Sequence, residues 1–175
     1  YFWFLRSSVI MNLFEAKAIK KILVPTDFST AANSAAEYAA LIGKSTGARI
    51  ILLHVNELPA LVTNEQAIAT DFNKIDKEIK ENLEKQKNKL VAEHGVTVEC
   101  HTVLGLAIPE IKDEVEREKV DVVIMGTKGA HGWKELLVGS QTGKVLEKCE
   151  CPVLVLPEKA SFFFNNFQIN SLRYL

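Results

Sequence analysis

The residues best suited to chemistry in this chain lie between Val120 and Lys144, where five of the nine glycines fall. Gly126 closes an apolar run, Gly129 and Gly132 follow, and Gly139-Ser140 comes after a short mixed spell. Glycine permits positive φ and lets a ligand approach the backbone closely. Gly139-Ser140 reads as the start of a helix. A helix N-terminus offers unpaired N–H groups and about half a positive charge, a natural anion site. A glycine loop leaving a strand and a helix N-terminus thus converge on one place, and phosphate is the guest that chemistry suits. Ser140 and Thr142 add hydroxyls, and Lys128 or Lys144 a cation. The competing reading is a glycine-rich loop that only turns the chain.

Two familiar nucleotide motifs fail here. In GSQTGKV three residues separate Gly139 from Gly143, whereas a Walker A loop takes about four. Val145 also stands where the magnesium-binding hydroxyl belongs. A dinucleotide fingerprint would follow the first strand, and VPTDFS has no glycine there. No Gly-x-Ser-x-Gly elbow, zinc motif or general base stands beside the phosphate loop. Asp121 lies at the start of the fourth strand, so a Walker B type aspartate at its end is missing too. Rapid ATP hydrolysis needs a metal, an oriented water and a charge clamp. No catalytic residue is therefore assigned, and slow hydrolysis stays open.

The elements that must position these residues alternate regularly. KKILVP is a short buried strand ended by Pro25. TDFSTAANSAAEYAALIGKSTG is a helix with Ser29 or Thr30 as N-cap and Gly47 past its end. Its inner face is Ala32, Ala35, Ala36, Ala39 and Ile42, small enough to lie close on a sheet. ARIILLHV is the second strand. Ile68, Phe72, Ile75, Ile79 and Leu83 then form one stripe of a long amphipathic helix. Thr63 and Gln66 supply a capping box at its start, and Gly95 ends it. VTVECHTVL is a third strand, and AIPEIKDEVEREKV a helix with Pro109 in its first turn. DVVIMG is the fourth strand, SQTGKVLEKC a fourth helix, and PVLVLP a fifth strand bounded by Pro152 and Pro157.

This order predicts a single-domain α/β protein, an open sheet of parallel strands with helices on both faces. Ligands in such sheets bind beyond the carboxyl ends of the strands, where strand order reverses. The ends to inspect are Thr26-Asp27, Val55-Asn56, Leu104-Gly105 and Gly126-Thr127.

Composition narrows the class further. Apolar residues make up 47% and charged residues 25% of 175, and the formal net charge is −1. Nothing in that balance marks a nucleic-acid binder. Cys100, Cys149 and Cys151 form no disulfide framework and no zinc spacing, and read as structural. YFWFLRSSVI has no basic leader or cleavage site and is far short of the roughly 20 residues that span a bilayer. Residues 1–19 are read as an appendage with a native start at Met11, 20–158 as the domain, and 159–175 as a tail. The expected location is the cytoplasm.

Gly126-x-x-Gly129, nine residues, then Gly139-Ser140 resembles the G-2x-G-9x-G-(S/T) signature of ATP-binding universal stress proteins. ILVPTDFS looks like that family's first strand and aspartate, IILLHV like its second strand, and CPVLVLP like its closing strand. The resemblance covers roughly Lys20 to Glu158. It implies a Rossmann-like, five-stranded parallel sheet in the order 3-2-1-4-5, paired as a homodimer through the fifth strand (152–157). An apolar edge strand is a liability unless covered, which favours a partner there independently.

The resemblance also implies a ligand, ATP, with Mg2+ or Mn2+. Asp27 would lie near adenine or ribose with Pro25 and Thr26 beside it, and Val55 would meet adenine through its backbone. Gly126 and Thr127 would lie by the ribose and α-phosphate. Gly129, Gly139, Ser140, Gln141 and Thr142 would hold the phosphates. Lys128 departs from the histidine many relatives carry. Read on their own, Asp27 competes between ligand contact and a cap role, and His54 is a core or supporting group. His131 reads as an exposed loop residue and Trp133 as a packing anchor. The expected function is a nucleotide-dependent stress-survival regulator acting as a dimer, with no nucleic-acid or membrane partner. The alternatives are a slow ATPase or nucleotide-processing enzyme, and a dimerisation module with an empty site.

Overall fold

The computed structural model describes residues 19–57, 65–126 and 149–156, with only the backbone over 65–73. The elements run β1 (Lys21–Pro25), α1 (Thr30–Thr46), β2 (Arg49–Asn56), α2 (Glu65–His94), β3 (Val98–Leu104), α3 (Ala107–Glu118), β4 (Val122–Gly126) and β5 (Val153–Leu156). The five strands form one sheet in the order β3-β2-β1-β4-β5, and every pairing is parallel. That is the α/β sheet and strand order expected. The fourth helix, the Thr63–Gln66 capping box and both chain ends lie outside the described residues.

Alternation along the strands builds two cores. Ile22, Val24, Ile50, Leu52, Val122 and Ile124 face α1 and α2, with Leu83 and Leu90 packed on them. Leu23, Ile51, Leu53 and Val123 face α3, with Ile108, Ile111 and Val115. Successive strand residues point to opposite faces, so strands covered on both sides read as unbroken apolar runs. Burying each such side chain contributes about 1.5–3 kcal/mol.

α1 starts where the Ser29 hydroxyl accepts from the Ala32 N–H at 3.2 Å. It ends at Gly47, left-handed at φ 76°, whose N–H donates to the Gly43 carbonyl. Its buried face is Ala31, Ala32, Ala35, Ala36, Ala39, Ala40 and Gly43, a wider small-residue surface than the stripe expected, with Ile42 half-buried at its side. Gly95 ends α2 in the same way, at φ 70°.

Two expectations need correction. Ile75, placed on the inner stripe of α2, is 47% exposed, while Ile79 and Leu83 on that stripe are buried. Of these three stripe positions, burial begins at Ile79. The third helix stops at Glu118 rather than running on to Val120, because Lys119 takes a left-handed conformation at φ 53°. A lysine in that region carries no sequence signal of a helix end.

Charged side chains gather at the amino ends of the strands. Lys21 pairs with Glu118 at 3.3 Å, and Arg49 with Glu99 at 2.7 Å and Glu118 at 3.4 Å. Fully buried Glu114 accepts from His101 Nδ1 at 2.5 Å and pairs with Arg117. The Lys21 hydrogen bond holds the Glu118 carboxyl below the usual carboxylate range. This network lies at the end of the sheet opposite the predicted ligand crevice.

Candidate functional site at the carboxyl ends of β1 and β4

In the order β3-β2-β1-β4-β5 the chain moves one way from β1 to β2 and β3, then crosses to the other side for β4. The reversal lies between β1 and β4. Their register is Ile22 opposite Val122 and Leu23 opposite Val123, and both strands run on past it, to Pro25 and Gly126. Thr26-Asp27 and Gly126, predicted from different parts of the chain, thus stand at adjacent strand ends, the position at which such sheets take ligands.

The turn after β1 is held from several sides. Thr26 is buried, and its N–H donates to the Leu53 carbonyl at 2.8 Å. The Thr26 carbonyl lies 2.8 Å from His54 Nδ1, and its hydroxyl accepts from the Phe28 N–H at 3.2 Å. The Asp27 carboxylate accepts from the Ser29 N–H at 3.1 Å, an Asx turn that leads into the helix, whose cap is Ser29. Asn33 Nδ2 donates to the Phe28 carbonyl at 3.2 Å. Pro25 ends β1 opposite Leu53, and Val55 on β2 lies opposite Val103.

Phe28 stands out within this turn. It has φ 63°, a left-handed backbone in an aromatic residue. Such a conformation costs about 1–3 kcal/mol and persists where surrounding structure over-determines it. Here four hydrogen bonds around Thr26–Phe28, at about 0.5–1.5 kcal/mol each, offset the cost. The Phe28 ring also stacks on the His54 imidazole, with centroids 4.9 Å apart and planes inclined by 18°. Sequence reasoning placed His54 as a supporting group and missed Phe28, because nothing in PTDFS flags a positive φ.

Gly126 has a packing role that the sequence did not show. Its backbone is not among the positive-φ glycines of the described residues, which are Gly47, Gly95 and Gly105. What it supplies is space for α1. A Cβ there would meet the Ala31 Cβ and carbonyl carbon at 2.7 Å and the Ala31 carbonyl oxygen at 2.8 Å. The described residues thus show one close approach at Gly126, that of a helix. Thr127, Gly129, Gly139, Ser140, Gln141 and Thr142 lie outside the described residues, as do Lys128, His131, Trp133 and Lys144.

A small cavity of about 130 Å³ opens at the carboxyl ends of β2 and β3, lined by Asn56, Asp76, Ile79, Thr102, Val103 and Leu104. It neighbours Val55 through the Val55–Val103 pair. Two groups of ligand-type side chains occur elsewhere among the described residues, Glu37 with Glu93 and His94, and His101 with Glu114 and Glu118. Their acids already face Lys89, Arg117, Lys21 and Arg49 in ion pairs. No metal is assigned to either. No helix among the described residues is long and apolar enough to cross a membrane.

Fold and crevice together define a doubly wound α/β protein with a candidate ligand site at its topological switch point. The model of the universal stress protein family matches residues 18–157, and the chain belongs to that family. It is 31% identical over 156 residues to universal stress protein MJ0531 of Methanocaldococcus jannaschii, covering 88% of this chain and 90% of that protein. It is 33% identical over 157 residues to MJ0577 of the same organism, covering 81% and 97%. The solved structure of MJ0577 superposes with a TM-score of 0.66 at 35% identity, over 81% of this chain and 97% of that one. A family member from Arabidopsis thaliana with AMP bound has the same fold, with a TM-score of 0.58 at 21% identity over 84% and 97%.

Proposed function

We propose that this chain is an ATP-binding universal stress protein, a nucleotide-dependent regulator of stress survival that works as a homodimer. One observation carries the reading. The strand order brings Thr26-Asp27 and Gly126, the first residue of the glycine signature, to adjacent strand ends at the switch point. The remaining signature residues follow Gly126 directly in the chain. Adenine and ribose would lie toward Pro25, Thr26, Asp27 and Val55. The phosphates would lie on Thr127, Gly129, Gly139, Ser140, Gln141 and Thr142, where backbone N–H groups at a helix start suit an anion. The donors fit a nucleotide better than a caged metal. Mg2+ or Mn2+ would arrive with the phosphates, which supply the hard oxygen ligands it prefers. AMP in the Arabidopsis relative belongs to that protein and bears only on what the fold can hold.

The dimer reading rests on β5, which forms one edge of the sheet and carries Leu154 and Val155 half-buried. Pairing with a second copy would cover that apolar edge. Sedimentation equilibrium tests it, and a monomeric wild-type protein would remove that part of the proposal.

The nucleotide reading is tested by mass analysis of whatever the purified protein releases on heat denaturation, followed by calorimetry with ATP. ATP is expected in the released fraction or as a binding isotherm, and Gly139→Val is expected to abolish it. Wild-type protein that neither carries nor binds ATP at millimolar concentration overturns the reading.

A further inference from the structure

We infer that His54 is a positioning residue for the candidate nucleotide site, acting through the β1–α1 turn. The inference rests on the nucleotide reading above for its ligand, and on the turn's own geometry for everything else. A carbonyl oxygen only accepts, so the 2.8 Å contact between His54 Nδ1 and the Thr26 carbonyl requires the proton on Nδ1. In a neutral ring that leaves Nε2 as the acceptor. One imidazole therefore does two jobs. It ties down the carbonyl of the residue before Asp27, and its face supports the ring of the residue after Asp27.

Asp27 is thereby gripped from both sides. On its amino side Thr26 is held by Leu53 at its N–H and by His54 at its carbonyl. On its carboxyl side Phe28 is locked into a conformation that aromatic residues avoid. Without the His54 donor, the Thr26 carbonyl loses that anchor, and Thr26 keeps its N–H bond to Leu53 and its hydroxyl bond to Phe28. Phe28 then has less reason to stay left-handed, and the direction of the Asp27 carboxylate and the start of α1 both change. A strained conformation kept in place by a neighbouring strand, at the strand end where ligands bind, is what preorganisation for a ligand requires.

The test compares His54→Leu, which loses the donor, with His54→Asn, whose side-chain amide reaches as far as Nδ1 and can still donate. MgATP affinity of His54→Leu is expected to fall about tenfold, the scale of one lost buried hydrogen bond, while His54→Asn stays within about threefold of wild type. Native-state exchange of the Phe28 and Ser29 amides is expected to quicken about tenfold in His54→Leu, with the Leu23 and Leu52 amides unchanged. Nitrogen-detected spectra of the wild type should show the Nδ1–H tautomer for His54. Equal affinity in His54→Leu and wild type overturns the inference and leaves the nucleotide reading standing, as does equal loss in both variants. A wild type that binds no MgATP overturns the nucleotide reading and the ligand half of this inference, while amide exchange still decides whether His54 holds the turn. If His54→Leu does not fold, an Nε2–H tautomer in the wild type, or weak binding by folded His54→Asn, overturns it.

Discussion

Ala31 sits so close to Gly126 that a Cβ on the glycine would lie 2.7 Å from both its carbonyl carbon and its Cβ. One contact joins the first turn of α1 to the end of β4, and so fixes the two sides of the switch point relative to each other. Backbone atoms are the obstacle, so the clash cannot be relieved by turning a side chain. Gly126→Ala is expected to cost about 1–3 kcal/mol as overpacking, and to lower Tm by about 2–4 °C for each kcal/mol in a chain of this size. Scanning calorimetry reads it. A Gly126→Ala protein that melts with the wild type would show that α1 does not rest on this glycine. The same clash makes Gly126 a poor residue with which to probe nucleotide binding, since lost affinity would be confounded with lost packing.

Gly47 makes the opposite case, and the pair separates two uses of glycine. No atom lies within 4 Å of a Cβ built on Gly47, yet its φ is +76°. The whole penalty of Gly47→Ala is then conformational, about 1 kcal/mol. At the other end of α1, Ser29→Ala removes the hydroxyl that accepts from Ala32 and is expected to cost about 0.5–2 kcal/mol. Urea unfolding should show the two losses adding in the double variant, because the sites are at opposite ends of a 17-residue helix. A double variant no less stable than Ser29→Ala alone would contradict the left-handed cap account.

These residues also mark where the sequence was legible. Ser29 and Gly47 announce themselves, because hydroxyl caps and left-handed ends demand particular residue types within a few positions. The strands read well for a similar reason, since burial on both faces leaves an unbroken apolar run such as RIILLHV. The strand order was legible only through the family resemblance. Gly126 was legible as important, but its packing against Ala31 was not, because a helix and a ligand leave the same mark on a sequence. Phe28 was invisible, since the turn that holds its left-handed φ is anchored in part by His54 and Leu53, residues more than twenty positions away. Ile75 misled because helical periodicity does not say how far along its length a helix meets the sheet.

The three cysteines offer a chemical check on burial. Burial pushes the Cys100 thiol up to about 11 and the Cys151 thiol up to about 12, and raises Cys149 as well. Cys100 also reaches the Leu83 carbonyl at 3.6 Å. The thiolate is the reactive form, so at about pH 8 the folded protein should react with a disulfide reagent on the order of a hundredfold more slowly at Cys100 and Cys151 than a free thiol does. All three thiols should titrate promptly in denaturant. Prompt reaction of Cys100 or Cys151 in folded protein would mean that those residues are not packed as described.

The contact between α1 and α2 should loosen in acid, and the sign follows from Glu37. Burial alone would raise its carboxyl, but hydrogen bonds from Lys89 at 2.5 Å and His94 at 2.7 Å outweigh that and hold it below its ordinary value. A lowered folded value means the stabilisation is complete above the unfolded value and is lost as pH falls through the folded one. Lys89 is raised by the same hydrogen bond, so its share disappears only in strong alkali. The pair is partly exposed, so the effect should stay within about 0.2–1 kcal/mol and shrink in high salt. Unfolding free energies of wild type and Glu37→Gln, measured in urea from about pH 6 down to pH 3, should therefore converge as the wild type gives up its advantage. If the gap between them stays constant over that range, ionised Glu37 is not what ties α2 to α1.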